Sequence, residues 1–220
     1  MTVLNRLATA PFVLLAVALQ GTGCSVDQTS DGSWPVTTGD KGSRRYSALD
    51  QIDASNVDRL EVAWRWSSPD ESLAEENEKL QSPRMRPGAH QVTPVKVGDR
   101  LFVTTGYGQA VAIDPGSGET LWVHDPEAYS YGRPTNLGFV HRGATWWTNG
   151  EIERIFYASG DAHLRALDPE SGLPIESFGD NGAIDLTKGL RREISRRKYT
   201  VSSPVVTCRD VVVVGSSISD

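Results

Sequence analysis

The chain has 220 residues, of which 38% are hydrophobic and 23% are charged, with 21 glycines and 12 prolines. This balance is typical of a globular protein rich in strands and turns, and the length suffices for a sizeable core. The formal net charge of −6 argues against nucleic acid as a partner. The two cysteines, Cys24 and Cys208, form neither a disulfide framework nor a haem-attachment motif.

The first residues predict an exported protein. Arg6 gives a positive start, and the apolar run 11–19 is too short to span a bilayer as a mature helix. Small residues then precede Cys24, as in a bacterial lipoprotein signal in which Cys24 carries the lipid, although Gly21 stands where an aliphatic residue is usual. The alternative is a plain secretory signal, cleaved before Cys24 or after Ala18. Both place the protein outside the cytoplasm, and the first adds a membrane anchor.

The chain divides into three parts. We expect a signal at 1–23, a small polar tether at 24–33 and a folded part at 34–220. Residues 60–66 alternate apolar and polar side chains, which predicts a half-buried strand. The charged run 67–89 predicts a solvated loop with one or two helical turns in its middle.

The remainder is a succession of strands and turns. About seven strands after residue 60 are predicted, with no long amphipathic helix, so the fold class is all-β. Residues 125–148 are expected to form a long connection, and residues 178–198 a loop. That loop carries a basic cluster, which is interpreted as solvated surface: Arg191, Arg192, Arg196, Arg197 and Lys198. A closing hairpin is predicted from strands at 201–207 and 210–215.

An internal repeat decides the architecture. Residues 112–122 (AIDPGSGETLW) read as a hairpin, and the phrase returns 54 residues later at 166–172 (ALDPESG). A repeated hairpin of this period predicts propeller blades, and because a propeller closes with at least about four blades, we expect a fragment with two or three. Trp122 is expected to wedge between blades, whereas the second copy has Glu176 at that position, so the contact is lost or replaced by Phe178.

Three phrases carry a resemblance: the hairpin, residues 39–52, and residues 91–99 (QVTPVKVGD). Together they resemble the pyrroloquinoline quinone (PQQ) dependent dehydrogenases, the quinoproteins, and the glucose dehydrogenase branch in particular. The resemblance implies the N-terminal blades of an eight-bladed propeller with PQQ on its axis and a Ca²⁺ or Mg²⁺ ion beside it. It implies hydride transfer from a sugar or alcohol to the quinone, and electron transfer to a membrane quinone or a cytochrome. The catalytic base is expected beyond residue 220.

The strongest candidate site residues are Arg142 and Gly143. In quinoproteins an Arg-Gly pair at this point places the arginine on the quinone, where its rigid fork of donors suits a quinone oxygen or a carboxylate. Gly143 would let the backbone approach a flat ring. The alternative is an arginine in a surface loop. His141 stands near the place where other members have adjacent cysteines, and it is expected to offer a stacking surface.

Further positions follow from the same resemblance. Gln91 matches a cofactor contact at the start of the first blade, or it is merely a strand-end residue. Ser159 stands where the family has a threonine that bonds a PQQ carboxylate, or it is a satisfied strand serine. Ser217 matches a cofactor contact, and Asp220 matches a metal-ligating carboxylate. His124 and His163 are expected to be structural.

A second function competes with the dehydrogenase. A non-catalytic lipoprotein propeller, such as the scaffold of the outer-membrane β-barrel assembly machinery, shares the hairpin repeat and the lipid anchor. Such a scaffold has no need of the Arg142-Gly143 pair or of the Gln91 phrase.

Overall fold

The computed structural model describes residues 32–219. This part contains one short α-helix, α1 (Asp70–Glu76), five 3-10 turns and twelve short strands. Cys24, Asp220 and the predicted signal lie outside the described residues. Among the residues that are described, no helix is long and apolar enough to cross a bilayer.

Two four-stranded antiparallel sheets dominate the fold. The first contains β1 (Val95–Val97), β2 (Arg100–Thr104), β3 (Ala110–Ile113) and β4 (Thr120–His124). The second contains β5 (Thr145–Thr148), β6 (Glu153–Ser159), β7 (His163–Leu167) and β8 (Ala183–Asp185). In each sheet the strands follow chain order, and the repeated turn lies between the third and fourth strands. Such meanders are propeller blades, so the predicted all-β partial propeller is confirmed.

A third unit begins after the second sheet. It consists of β10 (Val206–Cys208) paired with β11 (Val211–Val213), and of β9 (Tyr199–Thr200) paired with β12 (Ser217–Ile218). Strand β5 contacts both β1 and β10, so these three strands lie side by side. We call the end at which β1, β5 and β10 begin the upper end. Because successive connections of a meander alternate between its ends, loops 105–109, 125–144, 160–162 and 186–204 also lie there.

The two blades share one apolar core. Strand β3 is buried along its whole length, as expected for an inner strand with both faces covered. Ala144, just before β5, joins side chains of both sheets in the shared cluster: Val95, Phe102, Ala110, Ala112, Ile155, Tyr157 and Leu167. Each large side chain buried in this way contributes about 1.5–3 kcal/mol through removal of apolar surface from water.

Two tryptophan side chains dock on the hairpin turns, each on the turn of the blade that follows it in the chain. Trp122 Nε1 donates to the carbonyl of Pro169 at 3.1 Å, which confirms its predicted place between blades. Its ring covers Gly172, where a Cβ would lie 2.5 Å from the indole and where φ is +71°, so that turn position requires glycine. Trp64 makes the matching bond to the carbonyl of Pro115, at 3.0 Å.

The strand predicted at 60–66 is wrong. No strand is assigned there, and Leu60 and Val62 are 58% and 66% exposed. The alternation arises because its tryptophans dock on the first hairpin, where Trp66 Nε1 donates to Thr120 Oγ1 at 3.0 Å. Within the described residues no strand pairs with this segment.

Several strand boundaries also need correction. The connection predicted to 148 ends at Ala144, because strand-favouring tryptophans pair with β6 and form β5. The loop predicted at 178–198 contains β8, which pairs with β7. Phe178 packs on Phe156, with ring centroids 5.3 Å apart, inside its own blade. The helical turns predicted before residue 80 are confirmed by α1.

Candidate functional site

The upper end brings together residues that precede β1, β5 and β10. Arg142 Nε donates to Gln91 Oε1 at 3.1 Å, and Arg142 Nη1 donates to Ser202 Oγ at 2.9 Å. Three consecutive blade starts therefore converge on one guanidinium. Within residues 32–219 no carboxylate pairs with Arg142, so its positive charge is held in place without being neutralised.

The backbone around this arginine is tightly packed. Thr93 N donates to the carbonyl of Arg142 at 3.3 Å and ties the first two blade starts together. Gly143 has φ of +132°, and a Cβ on it would lie 2.9 Å from Thr37 Cγ2 and 3.0 Å from the Thr93 carbonyl. The protein's own packing thus requires glycine here. The expectation that Gly143 lets the backbone approach a flat cofactor ring is a separate reason for glycine, and it stays a prediction.

His141 is buried, whereas the neighbouring Arg142 is half-exposed. A Cβ on Gly108 would lie 3.5 Å from His141 Nε2, so the ring lies beneath that loop. Burial lowers the pKa of His141 to about 4, which keeps it neutral at pH 7. Its predicted stacking surface is covered in this structure and stays a prediction.

Ser159 belongs to a buried polar cluster. Its hydroxyl donates to Asp161 and accepts from Arg165, and Arg165 Nη2 donates to Asp161 Oδ2 at 2.7 Å. His163 Nδ1 lies 2.9 Å from the same carboxylate, which agrees with a structural histidine. Burial alone would raise the pKa of Asp161, but hydrogen bonds from His163 and Arg165 outweigh it and hold the pKa well below its ordinary value. The structure does not bring Ser159 to Arg142, and its cofactor contact stays a prediction.

Ser217 lies on the exposed strand β12. Its hydroxyl accepts a hydrogen bond from Asn136 Nδ2 at 2.6 Å, and no bond joins it to Arg142. Asp220 lies outside the described residues. Across 32–219 no group of three or more His, Cys, Asp or Glu side chains could hold a metal ion. The metal role of Asp220 stays a prediction.

A cavity of 780 Å³ opens beside α1, and His90, which precedes Gln91, is among its lining residues. Asp70 Oδ2 accepts from the backbone N–H of Tyr107 at 3.2 Å, while Oδ1 is buried without a partner in the described part of the chain. Burial raises the pKa of Asp70. The upper end therefore has room for a small molecule beside His90, the neighbour of Gln91 in the chain.

Sequence reasoning missed Ser202. The available signal was the Pro204-Val205 pair before β10, which repeats the Pro94-Val95 pair at the start of β1. Residues just before such a pair stand at a blade start, as Gln91 does.

Residues 34–220 match the family described as the PQQ type of glucose/ethanol/alcohol dehydrogenase, β-propeller domain. The chain belongs to this quinoprotein family. The matching family is one of dehydrogenase propellers, so the match supports the dehydrogenase hypothesis more than the scaffold hypothesis.

Relatives of both the glucose and the alcohol type are similar to this chain. It is 27% identical to the quinoprotein glucose dehydrogenase of Escherichia coli K12, covering 87% of this chain and 24% of that protein. It is 30% identical to the dehydrogenase subunit of the alcohol dehydrogenase (quinone) of Gluconobacter oxydans, covering 76% and 20%. The quinohemoprotein alcohol dehydrogenase of Comamonas testosteroni matches in structure with a TM-score of 0.62 and 24% identity, over 86% of this chain and 24% of that one. The chain thus spans about a quarter or less of the length of these proteins.

Proposed function

We propose that this chain forms the cofactor-binding start of a PQQ-dependent oxidoreductase of the glucose dehydrogenase type, which oxidises a sugar or an alcohol. The observation that carries the proposal is the guanidinium of Arg142, held by Gln91 and Ser202 without a carboxylate partner in residues 32–219. PQQ is a planar tricarboxylate with an ortho-quinone, and both acceptor types suit a fixed arginine fork.

The residues around Arg142 prepare it for an anion. Gln91 and Ser202 are uncharged, so they orient the guanidinium and leave its charge intact. The other N–H donors of Arg142 remain for a ligand, and stabilise negative charge as it develops there. When bound, PQQ supplies the quinone that accepts hydride from the substrate. Ser217 remains a proposed contact, whereas the hydroxyl of Ser159 is already engaged by Asp161 and Arg165.

The remaining parts of the proposal concern the metal, the partners and the location. A Ca²⁺ or Mg²⁺ ion would accept oxygen ligands such as the carboxylate of Asp220. The signal before Cys24 supports an extracytoplasmic protein anchored through a lipid on that cysteine. A membrane quinone or a cytochrome would then be the electron acceptor within reach.

Reconstitution tests the function. The protein is expressed at its natural length, freed of cofactor, and mixed with PQQ and either Ca²⁺ or Mg²⁺. We expect a bound-quinone absorbance after gel filtration, and dye reduction with glucose or with primary alcohols. Absence of both would refute the dehydrogenase and favour the scaffold.

A pair of variants tests the role of Arg142. Arg142→Ala should abolish PQQ retention on gel filtration, because it removes the charged donor to which three blade starts contribute. Arg59→Ala removes an exposed arginine whose contact is the nearby Ser55 carbonyl, and it should retain PQQ like the unmodified protein. Equal retention by both variants would refute the role of Arg142.

A further inference from the structure

The upper end carries a second concentration of positive charge. Loop 187–198 has six basic residues and one acidic residue, in a chain whose formal net charge is −6. One of the six, Arg196, is committed to the fold, because it pairs with Asp185 at 2.6 Å and donates to the Asp161 carbonyl at 3.0 Å. The interpretation of this cluster as solvated surface is therefore wrong for Arg196.

Arg197, the next residue, contacts loop 132–138 and not a carboxylate of the described residues. Its Nε donates to the carbonyl of Arg133 at 3.0 Å, and its side chain crosses Gly132, where a Cβ would lie 3.4 Å from Arg197 Cδ. The backbones are joined as well, since Thr135 N donates to the Arg197 carbonyl at 2.9 Å. Arg197 is thus fixed on loop 132–138, and no carboxylate in residues 32–219 pairs with it.

Arg133 lies on the same loop. Its guanidinium covers Gly138, where a Cβ would lie 2.6 Å from Arg133 Nε. In the described part of the chain it too has no carboxylate partner. Gly138 is four residues before Arg142, which limits the distance between their Cα atoms to about 14 Å. Arg133 and Arg197, which we call the rim pair, lie on the upper-end loops 125–144 and 186–204, and Arg142 lies on the first of these loops.

We propose that the rim pair binds the carboxylate of an anionic substrate, so that the enzyme prefers a polyhydroxy acid over a neutral sugar or alcohol. This inference rests on the proposed function and adds the class of substrate. Arginine forks bind carboxylates through paired, charge-assisted hydrogen bonds. Unneutralised positive charge at the mouth of a site also raises the rate at which anions arrive.

The cofactor offers the same chemistry, since PQQ also carries carboxylates. The two sources are distinguished by position and by competition. A substrate site must bind a carboxylate when PQQ is already present, and its loss must leave PQQ retention unchanged.

Gluconate and sorbitol provide a matched pair of probes, because both are six-carbon polyols and only gluconate is charged. Binding is measured by calorimetry on the natural-length protein, without cofactor and again after loading with PQQ. At about 20 mM salt we expect gluconate to bind at least about tenfold more tightly than sorbitol, and to lose most of that advantage at about 200 mM salt. Equal binding of the two probes would overturn the proposal.

Arg133→Gln and Arg197→Gln should each weaken gluconate binding about tenfold and leave sorbitol binding unchanged. Arg100→Gln is the control, because Arg100 lies at the opposite end beside Asp99 and Glu170. Unfolding midpoints show whether each variant is folded. Unchanged gluconate binding in the double variant overturns the proposal.

Measurement of PQQ retention distinguishes failure of the substrate assignment from failure of the proposed function. If the double variant also releases PQQ, the rim pair serves the cofactor and the substrate assignment is overturned. If the unmodified protein retains no PQQ but binds gluconate through the rim pair, the carboxylate site stands and the dehydrogenase function fails.

Discussion

Five arginines at the upper end form two groups that differ in their partners. Arg165 pairs with Asp161 at 2.7 Å, and the side chains are 11% and 2% exposed. Arg196 pairs with Asp185 at 2.6 Å. The second group has no carboxylate partner in residues 32–219: Arg133, Arg142 and Arg197. The first group stabilises the fold through its ion pairs, whereas the second is hydrogen-bonded to neutral atoms and keeps an unpaired charge.

Burial explains why the two groups have different consequences for stability. A charge taken out of water needs its partner, because removal of that partner leaves an uncompensated ion in a medium of low dielectric constant. An exposed charge stays solvated whether or not it is paired. We therefore expect the paired arginines to determine stability and the others to determine binding.

Asp161→Ala is the severest test of that contrast. It strips Arg165 of its carboxylate and also frees His163 and Ser159, so we expect the free energy of unfolding to fall by about 3–5 kcal/mol. Urea denaturation measures it. Asp99→Ala is the control, since the side chain of Asp99 is 82% exposed in its ion pair with Arg100 and should cost at most about 1 kcal/mol. Similar losses in both variants would contradict the grouping.

Much of the fold could be predicted from local patterns. The hairpin phrase at 112–122 encodes its own turn, because Asp114 accepts hydrogen bonds from the following backbone N–H groups. The alternation at 60–66 misled because Trp64 and Trp66 pack on a distant turn, and a period of two does not reveal what covers each face. Strand β5 was missed although its residues favour strand and the short Asn149-Gly150 turn joins it to β6, because the segment was interpreted as the end of the loop that carries Arg142.

The candidate site was predicted only in part, because the sequence does not reveal which blade starts contact one another. Gln91 and Arg142 were singled out by a resemblance, and the structure joins them at 3.1 Å. Ser202 had no motif of its own, and only the packing of a third blade start shows that it bonds Arg142. The sequence also could not predict that Arg196 pairs with a carboxylate and Arg197 does not, because the two differ only in their spatial neighbours.

His141 and Arg142 place the two environments side by side, and pH separates them. The pKa of His141 is lowered from 6.5 to about 4 by burial, so between those values the unfolded chain binds a proton that the folded chain does not. His141 should therefore add about 1.4 kcal/mol of stability per pH unit from pH 4 to 6.5, and its contribution is fully present above that range. Burial also lowers the pKa of His124, which acts with the same sign, whereas burial raises the pKa of Asp70, which acts with the opposite sign. The depressed pKa of Asp161 acts at more acidic pH, outside this window.

Urea denaturation across that pH range measures the slope. His141→Gln should remove this contribution, whereas the exposed His90→Gln should keep it. The shifted pKa values of His124 and Asp70 leave a residual slope in either case. A slope in His141→Gln equal to that of the unmodified protein would mean that His141 is not the buried neutral base.

Arg196 and Arg197 give the smallest and sharpest comparison, because they are adjacent in one basic run. Arg196→Gln should lower the free energy of unfolding by about 1–2 kcal/mol, since it breaks the bond to Asp185 and the contact of its guanidinium with the Tyr131 ring, 5.4 Å away. Arg197→Gln should change it by no more than about 0.5 kcal/mol, because its exposed side chain gives up one bond to a carbonyl and no carboxylate. Urea denaturation of the two variants at one pH measures the difference. Equal losses would mean that Arg197 is also a structural residue, and would remove the reason to regard the rim pair as kept for a ligand.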